Sequence, residues 1–472
     1  MAKATVFDTV EERREQLEEL AQSIWETPEL GLHEEESSAT LREALEAEGF
    51  EIEQGIGDMP TAFSATYGEG DPRIGILGEF DALPGLSQKV KAERDPIEEG
   101  GPGHGCGHNL FGTAGVGAAI AIKTAIDDGE LDGTIVFFGC PAEETLVGKT
   151  FMARDGAFDE LDAAITWHPS DQTKPQLSSS LALDSVQFTF EGVSAHAAAS
   201  PESGRSALDA VELLNTGVEY MREHIPDKAR IHYAITDGGD APNVVPAEST
   251  VWYFIRAPKR EQVERISDWV TDVAEGASLM TQTDVDRRYI TGCWDFLPNE
   301  TITEAVWENM QELGPVEYDD DDEAFAADLK ATIDEDKIEG SLEDLPEDVT
   351  AAMREASLYA EPIEPHDKGE TGGGSTEVGD VSWITPTAQF RATTWAVGTP
   401  AHTWQAVAAD GDFGKKGCVY AAKVLAGTAY DLLSDEELVA AAQAEWEEAT
   451  AEGGYETPLP EDVDPPFDVT AD

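Results

Sequence analysis

The sequence predicts an α/β protein: a doubly wound, mainly parallel sheet with a smaller α+β domain inserted into it. In the first 180 residues, compact apolar segments of buried-strand type alternate with helical segments, which is typical of a parallel sheet. Between residues 181 and 295 the strands instead alternate apolar and polar positions, as half-buried strands do. The order of elements there, β-α-β-β-α-β, matches the split ferredoxin-like unit.

The first region contains two early helices followed by strands. Thr9 and Glu12 form a capping-box pattern that predicts a helix start, and a second helix is predicted from about Ser37 to Ala47. Buried strands are predicted at RIGILGEF, TIVFFG and DAAITW, and a tightly packed helix of small residues at NLFGTAGVGAAIAIKTAI. The sheet of the larger domain therefore begins within residues 1–180.

The inserted region, residues 181–295, supplies four strands and two helices. The predicted strands are LALDSVQFTFEG, RIHYAITDG, STVWYFIRAP and TDVDRRYITG, and the helices are SALDAVELLNTGVEYMREH and KREQVERISDWVTDVAEGAS. Residues 296–472 return to the larger domain, with a charged helical surface, a late core strand at TAQFRATTWAV and an irregular tail.

Composition limits the possible functions. The 472 residues contain 30 Lys plus Arg against 97 Asp plus Glu, a net charge of −67, which excludes nucleic-acid binding and disfavours anionic membranes. Without an apolar run of the ~18 residues of a membrane span or a signal-peptide stretch, we expect a soluble cytoplasmic protein. The acid is spread along a chain that is 40% hydrophobic with 10 Trp. That distribution predicts a folded, halophilic protein, because the Debye length falls to about 3 Å in molar salt.

The four cysteines are too few and too scattered for a disulfide scaffold. Cys140, Cys293 and Cys418 lie in apolar or strand-like surroundings and are interpreted as small buried thiols. Cys106 differs because it lies in the glycine-rich loop GPGHGCGHN, just before a predicted helix. It therefore belongs with the candidate functional residues.

Ionisable side chains follow each predicted strand of the larger domain. They are Asp81, Cys106 with His108, Glu143 with Glu144, His168 and, after the late strand, His402. In an open parallel sheet the carboxyl ends of the strands share one edge, and functional sites form outside that edge. We therefore expect these side chains to converge. Each alone has a commoner explanation, such as a structural histidine or a surface pair of glutamates. Together, thiolate, imidazole and carboxylate predict a site for zinc or a similar divalent ion.

Six motifs carry a family resemblance that spans nearly the whole chain in order. They are GEFDALPGL, GPGHGCGHNLFG, CPAEE, WHP, GVSAHAA and GTPAHTW. The chain resembles the aminoacylase/carboxypeptidase-type binuclear metallopeptidases, in particular their amidohydrolase branch. GHGCGHN, PNVVPAESTVWYFIRAP and GSTEVGDVSW look closest to the aminobenzoyl-glutamate hydrolase B group.

The resemblance implies specific roles. Two divalent ions, Zn or Mn, are expected on Cys106, His108, Glu144, His168 and His402. Glu143 matches the general base, and Asp81 a carboxylate that orients the site. Glu79 stands where other branches have a histidine and is not assigned as a ligand. From the inserted lid/dimerisation domain, His196 matches the histidine that reaches the partner subunit's active site, and Asn243 and Arg256 match substrate-binding positions.

The resemblance predicts an amidohydrolase that cleaves N-acyl or N-aroyl amino acids, such as aminobenzoyl-glutamate, through a metal-bridging water. It also implies a catalytic domain formed by residues 1–180 and 296–472, and a homodimer, possibly with a related A-type partner chain. An aminoacyl dipeptidase or N-acyl amino acid deacylase of the same family is an alternative. A non-catalytic partner subunit and a cysteine hydrolase using Cys106 also stay open. His104 and His232 are interpreted as structural.

Overall fold

The computed structural model describes residues 2–469, with the side chain of Ala2 left out. The helices are α1 (Ala2–Glu12), α2 (Arg14–Glu26), α3 (Glu35–Ala47), α4 (His108–Asp127), α5 (Gly148–Arg154), α6 (Ala207–Met221), α7 (Arg260–Thr281), α8 (Glu300–Leu313), α9 (Asp320–Lys330), α10 (Glu335–Ser341), α11 (Glu347–Glu355), α12 (Val378–Ile384), α13 (Trp404–Asp410), α14 (Gly414–Ser434) and α15 (Glu436–Ala449). The strands are β1 (Glu51–Gln54), β2 (Phe63–Glu69), β3 (Arg73–Glu79), β4 (Gly133–Cys140), β5 (Ala163–Ser170), β6 (Lys174–Gln176), β7 (Ala182–Glu191), β8 (Arg230–Asp237), β9 (Glu248–Ala257), β10 (Asp284–Cys293) and β11 (Thr387–Thr393).

The predicted fold class is confirmed. A seven-stranded sheet has the order β1-β2-β4-β3-β5-β11-β6. Its centre, from β4 to β11, is parallel, whereas β1, β2 and β6 pair antiparallel at the edges. The pattern did not predict β6, because three residues are too few to show a period.

Both faces of the central sheet are covered by helices. In β4, Ile135 and Phe137 pack into one core, with α4 and α14, while Val136 and Phe138 pack into the other, with α5 and α12. This explains why the parallel strands read as continuous apolar runs rather than alternating ones. The carboxyl ends of β3, β4, β5 and β11 therefore open toward one edge of a sheet that is buried on both sides.

The second sheet has the antiparallel order β10-β7-β9-β8, which is the ferredoxin-like arrangement. Helices α6 and α7 cover one face, where Val211 and Val263 pack against apolar residues of β9 such as Val251. The other face is partly open, and β8 is an edge strand. The predicted domain limits at 180/181 and 295/296 lie one or two residues outside this sheet and stay predictions.

The predicted helix start at Thr9 is wrong. Thr9 lies inside α1, which already begins at Ala2, and its hydroxyl donates to the carbonyl of Thr5 at 2.9 Å. Helix α1 packs against α4 and α14, and its residues Val6 and Val10 are buried. This packing stabilises the helical turns before Thr9, so it overrides the local capping pattern. The second predicted helix is confirmed as α3.

The predicted irregular tail contacts both domains as far as residue 469, and its last three residues lie outside the described part of the chain. Arg288 of β10 holds Asp468 through two hydrogen bonds of 2.7 Å. Arg154 of α5 donates to the carbonyl of Val463 at 2.6 Å, and Leu459 is buried. The tail therefore contacts both the larger domain and the inserted one.

One helix of the described chain, α4, is long and apolar enough to cross a membrane by length and composition alone. In the most apolar window of this helix, 83% of the residues are buried inside the protein. A core helix of a soluble protein passes the same test, so α4 is weak evidence for a membrane span.

Candidate metal centre

The loop before α4 brings a thiol and an imidazole close to strand β5. Gly107 between them has φ 75°, and a Cβ there would lie 2.7 Å from Cγ of Pro169. Glycine tolerates both the positive φ and this close approach. Cys106 and His108, the first residue of α4, are thereby placed against the end of β5.

Cys106 and His168 face each other, with Sγ and Nε2 3.4 Å apart. The other ring nitrogen of His168, Nδ1, lies 2.7 Å from the carbonyl oxygen of Pro169. That carbonyl can only accept, so Nδ1 carries the proton and Nε2 presents a lone pair toward the sulfur. Burial also lowers the pKa of His168 well below its ordinary value, which keeps the ring neutral, as a metal ligand must be.

Asp81 orients two other site residues at once. Its Oδ1 lies 2.7 Å from Nδ1 of His108, and its Oδ2 accepts the backbone N–H of Glu144 at 2.9 Å. Burial opposes ionisation of Asp81, but attraction to His108 outweighs it and lowers the pKa. Asp81 thus contacts both His108 and the Glu144 turn, and the orienting role that the resemblance implies for it stays a prediction.

The glutamate pair lies in a 3-10 turn, Glu143–Thr145, directly after β4. Ala142 and Leu146 on either side have φ values of 54° and 60°, so the chain turns sharply at both ends. Oε2 of Glu144 lies 3.3 Å from Nε2 of His402, whereas Oε2 of Glu143 lies 3.9 Å from Nε2 of His108. The two neighbouring carboxylates therefore face different partners.

Burial raises the pKa of both members of the pair. For Glu144 the value rises to about 8. For Glu143 it rises well above the usual range, with the charges of Glu79 and Glu377 adding to the effect of burial. A carboxylate with a raised pKa can exchange protons near neutral pH.

His402 closes the pocket at its rim. Its backbone has φ 61°, and its N–H donates to the carbonyl of Gly105 at 2.8 Å, which ties the late loop to the Cys106 loop. Its side chain is 55% exposed, while that of Glu144 is 8% exposed. The pocket is therefore buried at its base and open at His402.

Among residues 2–469, three groups of side chains could each hold an ion, and within each group the ligand atoms all lie within 4.8 Å of one another. They are Cys106, His108 and His168; Cys106, Glu144 and His402; and Glu79, His108 and Glu143. Buried atoms without a hydrogen-bond partner include Nε2 of His108, Oε1 of Glu144 and Oε2 of Glu79. Since buried polar atoms are normally paired, these unpaired imidazole and carboxylate atoms, together with the neighbouring Cys106 thiol, fit divalent cations.

The residues predicted on the lid lie apart from these groups. Within residues 2–469, none of the three candidate groups includes a lid residue. His196 is exposed, and its Nδ1 accepts from the N–H of Ala198 and of Ala199, both at 3.2 Å. Exposed Asn243 lies on the neighbouring segment, its carbonyl accepting from Ala197 at 3.0 Å.

Arg256 on β9 is half-buried, and its Nε has no hydrogen-bond partner. Its guanidinium lies 5.5 Å from the ring centre of Phe254, which packs against Leu146 of the catalytic turn. Burial lowers the pKa of Arg256. An incompletely satisfied guanidinium suits an anionic group.

Sequence reasoning missed three buried charged residues near the centre, Glu34, Lys149 and Glu377, and left a fourth, Glu79, unassigned. Glu34 accepts from the backbone of Ala142 at 2.7 Å and from Thr61 at 3.0 Å, and burial raises its pKa to about 8. Lys149 is fully buried between Glu79 and Glu377. Its one signal in the sequence is a lysine inside the apolar stretch LVGKTFM.

The two histidines interpreted as structural, His104 and His232, lie in different surroundings, one buried and one exposed. His104 is buried, with Nε2 3.1 Å from the carbonyl of Ile24, and burial lowers its pKa to about 4. His232 lies on the open face of β8, where burial and the charge of Arg256 lower its pKa.

The pair of Cys106 and His168 could also suggest a cysteine hydrolase. However, burial and the nearby carboxylates raise the pKa of the Cys106 thiol, which is the reverse of the shift that activates a nucleophilic cysteine. A bound cation is what would stabilise the thiolate here. The geometry therefore favours a ligand role for Cys106.

Comparisons with known proteins agree with this geometry. Residues 182–279 match the family model described as a peptidase dimerisation domain. The chain is 42% identical to the B subunit of p-aminobenzoyl-glutamate hydrolase from Escherichia coli K12 over 470 residues, 98% of each chain. It is 30% identical to Xaa-Arg dipeptidase of Mus musculus, covering 66% of this chain and 72% of that one.

Solved structures share the fold. An aminobenzoyl-glutamate utilization protein of Klebsiella pneumoniae aligns at TM-score 0.60 and 14% identity, covering 90% of this chain and 97% of that one. A dinuclear metal-binding peptidase of the M20 family from Bacillus subtilis aligns at TM-score 0.56 and 17% identity, covering 90% and 99%. The chain belongs to the M20 metallopeptidases, in the family that contains the B subunit of p-aminobenzoyl-glutamate hydrolase, and is a metal-dependent amidohydrolase.

Proposed function

We propose that the chain hydrolyses the amide bond of N-acyl or N-aroyl amino acids of the aminobenzoyl-glutamate type. The observation that carries this proposal is the convergence of Cys106, His108, His168, Glu144 and His402 in two groups with ligand atoms within 4.8 Å, with Glu143 beside them. The substrate class is supported by the 42% identity to the B subunit of p-aminobenzoyl-glutamate hydrolase.

These five side chains are proposed to hold two divalent ions, Zn or Mn. When bound, such ions supply Lewis acidity and lower the pKa of a coordinated water. Glu143 is the proposed general base, since its carboxylate faces the pocket and its pKa is raised. It would take the proton of the attacking water and release it to the leaving amine, while Asp81 keeps His108 and the Glu144 turn in place.

The lid is proposed to complete the site. We assign residues 181–295 to a lid/dimerisation domain and residues 1–180 and 296–472 to the catalytic domain. Arg256 and Asn243 would bind the substrate's carboxylate and polar groups, and His196 would act in the partner's active site as an oxyanion donor.

A homodimer through the edge strand β8 is supported by exposed apolar side chains on and beside it. Tyr220 of α6 is 77% exposed, and Tyr233 and Ile235 of β8 are 42% and 45% exposed. An unpaired strand edge with such neighbours is suited to pairing with a second copy. A related A-type chain is the alternative partner, since a homologue of the hydrolase's other subunit type from Haemophilus influenzae is 25% identical.

The test is hydrolysis by the purified single chain. Turnover of p-aminobenzoyl-glutamate that is lost on chelation and restored by Zn²⁺ or Mn²⁺ is the expected result, measured against other N-acyl amino acids and dipeptides. Faster turnover of Xaa-Arg dipeptides would favour the dipeptidase activity named for the mouse relative. A chain that is inactive alone and gains activity only with a second protein would be a non-catalytic partner subunit. The presence of Glu143 argues against that role, because a non-catalytic subunit needs no general base.

We also propose a cytoplasmic protein adapted to high salt, on the basis of the net charge of −67. Screening at molar salt weakens the mutual repulsion of surface carboxylates. The melting temperature should therefore rise between dilute buffer and molar KCl, as followed by circular dichroism. A constant or falling melting temperature would contradict this.

A further inference from the structure

Lys149 is a fully buried lysine held between two buried glutamates. Its Nζ lies 2.7 Å from Oε1 of Glu79 and 3.2 Å from Oε1 of Glu377, and the three side chains are at most 2% exposed. A buried ammonium is stable only when it is paired. Lys149 is paired with two carboxylates, although one would balance its charge. With both glutamates ionised, the buried cluster carries one negative charge in excess.

The excess charge is directed toward the candidate metal centre. Because Lys149 takes Oε1 of Glu79, the other oxygen, Oε2, is free and has no hydrogen-bond partner. That oxygen lies 3.3 Å from Nε2 of His108, a side chain that is completely buried. Nε2 of His108 likewise has no hydrogen-bond partner.

These two atoms are suited to share a cation. Both are buried and neither has a hydrogen-bond partner, whereas polar atoms away from water are normally paired. A divalent ion next to both would supply the missing partner, because a carboxylate oxygen and an imidazole nitrogen are both metal ligands. Glu79, His108 and Glu143 form one candidate group, with ligand atoms all within 4.8 Å of one another.

We propose that Glu79 is a further ligand of the ion held by His108, and that Lys149 is the positioning residue that aims its free oxygen into the pocket. The proposal rests on the metal centre described under the proposed function. Glu377 anchors the lysine from the other side, where its Oε1 also accepts the backbone N–H of Lys149 at 3.3 Å. The lysine, on α5, thereby connects the end of β3 with the residue just before α12.

The test is equilibrium Zn²⁺ binding by isothermal titration calorimetry to the chelator-stripped full chain. Glu79→Gln should weaken one of the two ions by about 10- to 100-fold, the size seen when supporting ligands are lost. Asp380→Asn is the matched control, because Asp380 is a buried carboxylate that bonds Tyr455 and Trp294 instead of the pocket. It should leave both affinities within about threefold of the wild type.

A second readout separates a ligand from a structural residue. In the Co²⁺-loaded protein, Glu79→Gln should change the visible ligand-field spectrum, whereas Asp380→Asn should not. The double variant Lys149→Met with Glu377→Gln removes one charge of each sign, and it should weaken the same ion as Glu79→Gln does. Wild-type affinity in the double variant would show that Lys149 does not position Glu79.

Two wild-type zinc affinities and an unchanged cobalt spectrum in Glu79→Gln would overturn the ligand role. Should that variant fail to fold by circular dichroism, Glu79→Asp decides, since it keeps the charge for Lys149 but withdraws the free oxygen by one methylene. Wild-type affinity in Glu79→Asp would equally overturn the role. A wild-type chain that binds no Zn²⁺ would contradict the proposed function itself, whereas two ions bound with equal affinity by the wild type and by Glu79→Gln would contradict this inference alone.

Discussion

The metal pocket and the lid loop are built in opposite ways. In the pocket, Asp81 fixes both His108 and the turn that carries Glu144, at 2.7 and 2.9 Å, and the acidic side chains are almost completely buried. On the lid, His196 is exposed and bonds only its own loop, through the N–H groups of Ala198 and Ala199. Within a single chain the pocket residues are held in place by one another, whereas the His196 side chain contacts none of them.

This difference indicates which parts of the reaction one chain can perform. Pre-organised groups lose little entropy when they act, and they bind ions without rearrangement. An exposed histidine contributes only when another surface reaches it. If the lid acts on a partner's site, as proposed, a substitution in the pocket should inactivate only the site of the chain that carries it. A substitution at His196 should instead inactivate the partner's site, and a second chain with an intact His196 should restore activity to the chain that carries the substitution.

The largest effect is expected in the pocket. Glu143→Gln keeps the shape of the side chain but removes the proposed base, so kcat should fall by up to about 10⁴-fold. Metal content measured by mass spectrometry should stay at the wild-type level, because Glu144 and not its neighbour faces His402. Activity within threefold of the wild type would exclude Glu143 as the base.

A smaller effect is expected on the lid. His196→Ala should lower kcat by about 10²-fold, as loss of an oxyanion donor does. Mixed with inactive Glu143→Gln chains, it should regain about a quarter of wild-type activity, because half of randomly paired dimers then contain one complete site. No recovery after dissociation and reassociation of the mixture would place His196 in its own chain's site.

Arg256 belongs to a part of the lid that contacts the catalytic domain, since Phe254 beside it packs against the cluster of Leu146, Leu183 and Cys293. Arg256→Gln should raise KM about tenfold or more through loss of a charged hydrogen bond, with little change in kcat. Steady-state kinetics with p-aminobenzoyl-glutamate and with the corresponding amide lacking the α-carboxylate checks this. Equal losses on both substrates would show that Arg256 does not bind that carboxylate.

The smallest effect concerns the tail that joins the catalytic domain to the lid. Hydrogen bonding to Arg288 lowers the pKa of Asp468, so this pair stabilises the fold above the unfolded-state pKa and loses its effect as pH falls through the lower folded value. The pair is exposed, and Asp468→Asn should cost less than about 1 kcal/mol at neutral pH. Denaturant unfolding of both proteins, repeated near pH 2, should show the difference disappear.

The sequence was sufficient where chemistry repeats at strand ends. The carboxyl ends of parallel strands lie at one edge of a sheet, which predicts that the side chains following them converge. The structure brings five of these side chains into two groups with ligand atoms within 4.8 Å of one another: Cys106, His108, Glu144, His168 and His402. The β-α-β-β-α-β order likewise predicted the second sheet, because each of its strands shows a clear alternation. These signals are local in sequence and require no knowledge of packing.

The residues that were missed depend on contacts distant in sequence. Lys149 and Glu377 are 228 residues apart, and one glutamate among many gives no sign that it will be buried beside a lysine. Glu34 was missed for the same reason, since its partners are the backbone of Ala142 and the hydroxyl of Thr61. The helix start predicted at Thr9 is wrong for the opposite reason. There the local capping motif is present in the sequence, but tertiary packing extends the helix past it.

The crowding of carboxylates around the pocket has a consequence for how the enzyme matures. Six buried acidic side chains lie in it or next to it: Glu34, Glu79, Asp81, Glu143, Glu144 and Glu377. Without ions, burial penalises their charged forms, as the raised pKa values of Glu34, Glu143 and Glu144 show, so metal uptake should act as a late step that locks the chain. Cells starved of the cation should then accumulate a looser precursor that proteases remove, and the supply of metal would set how much enzyme survives.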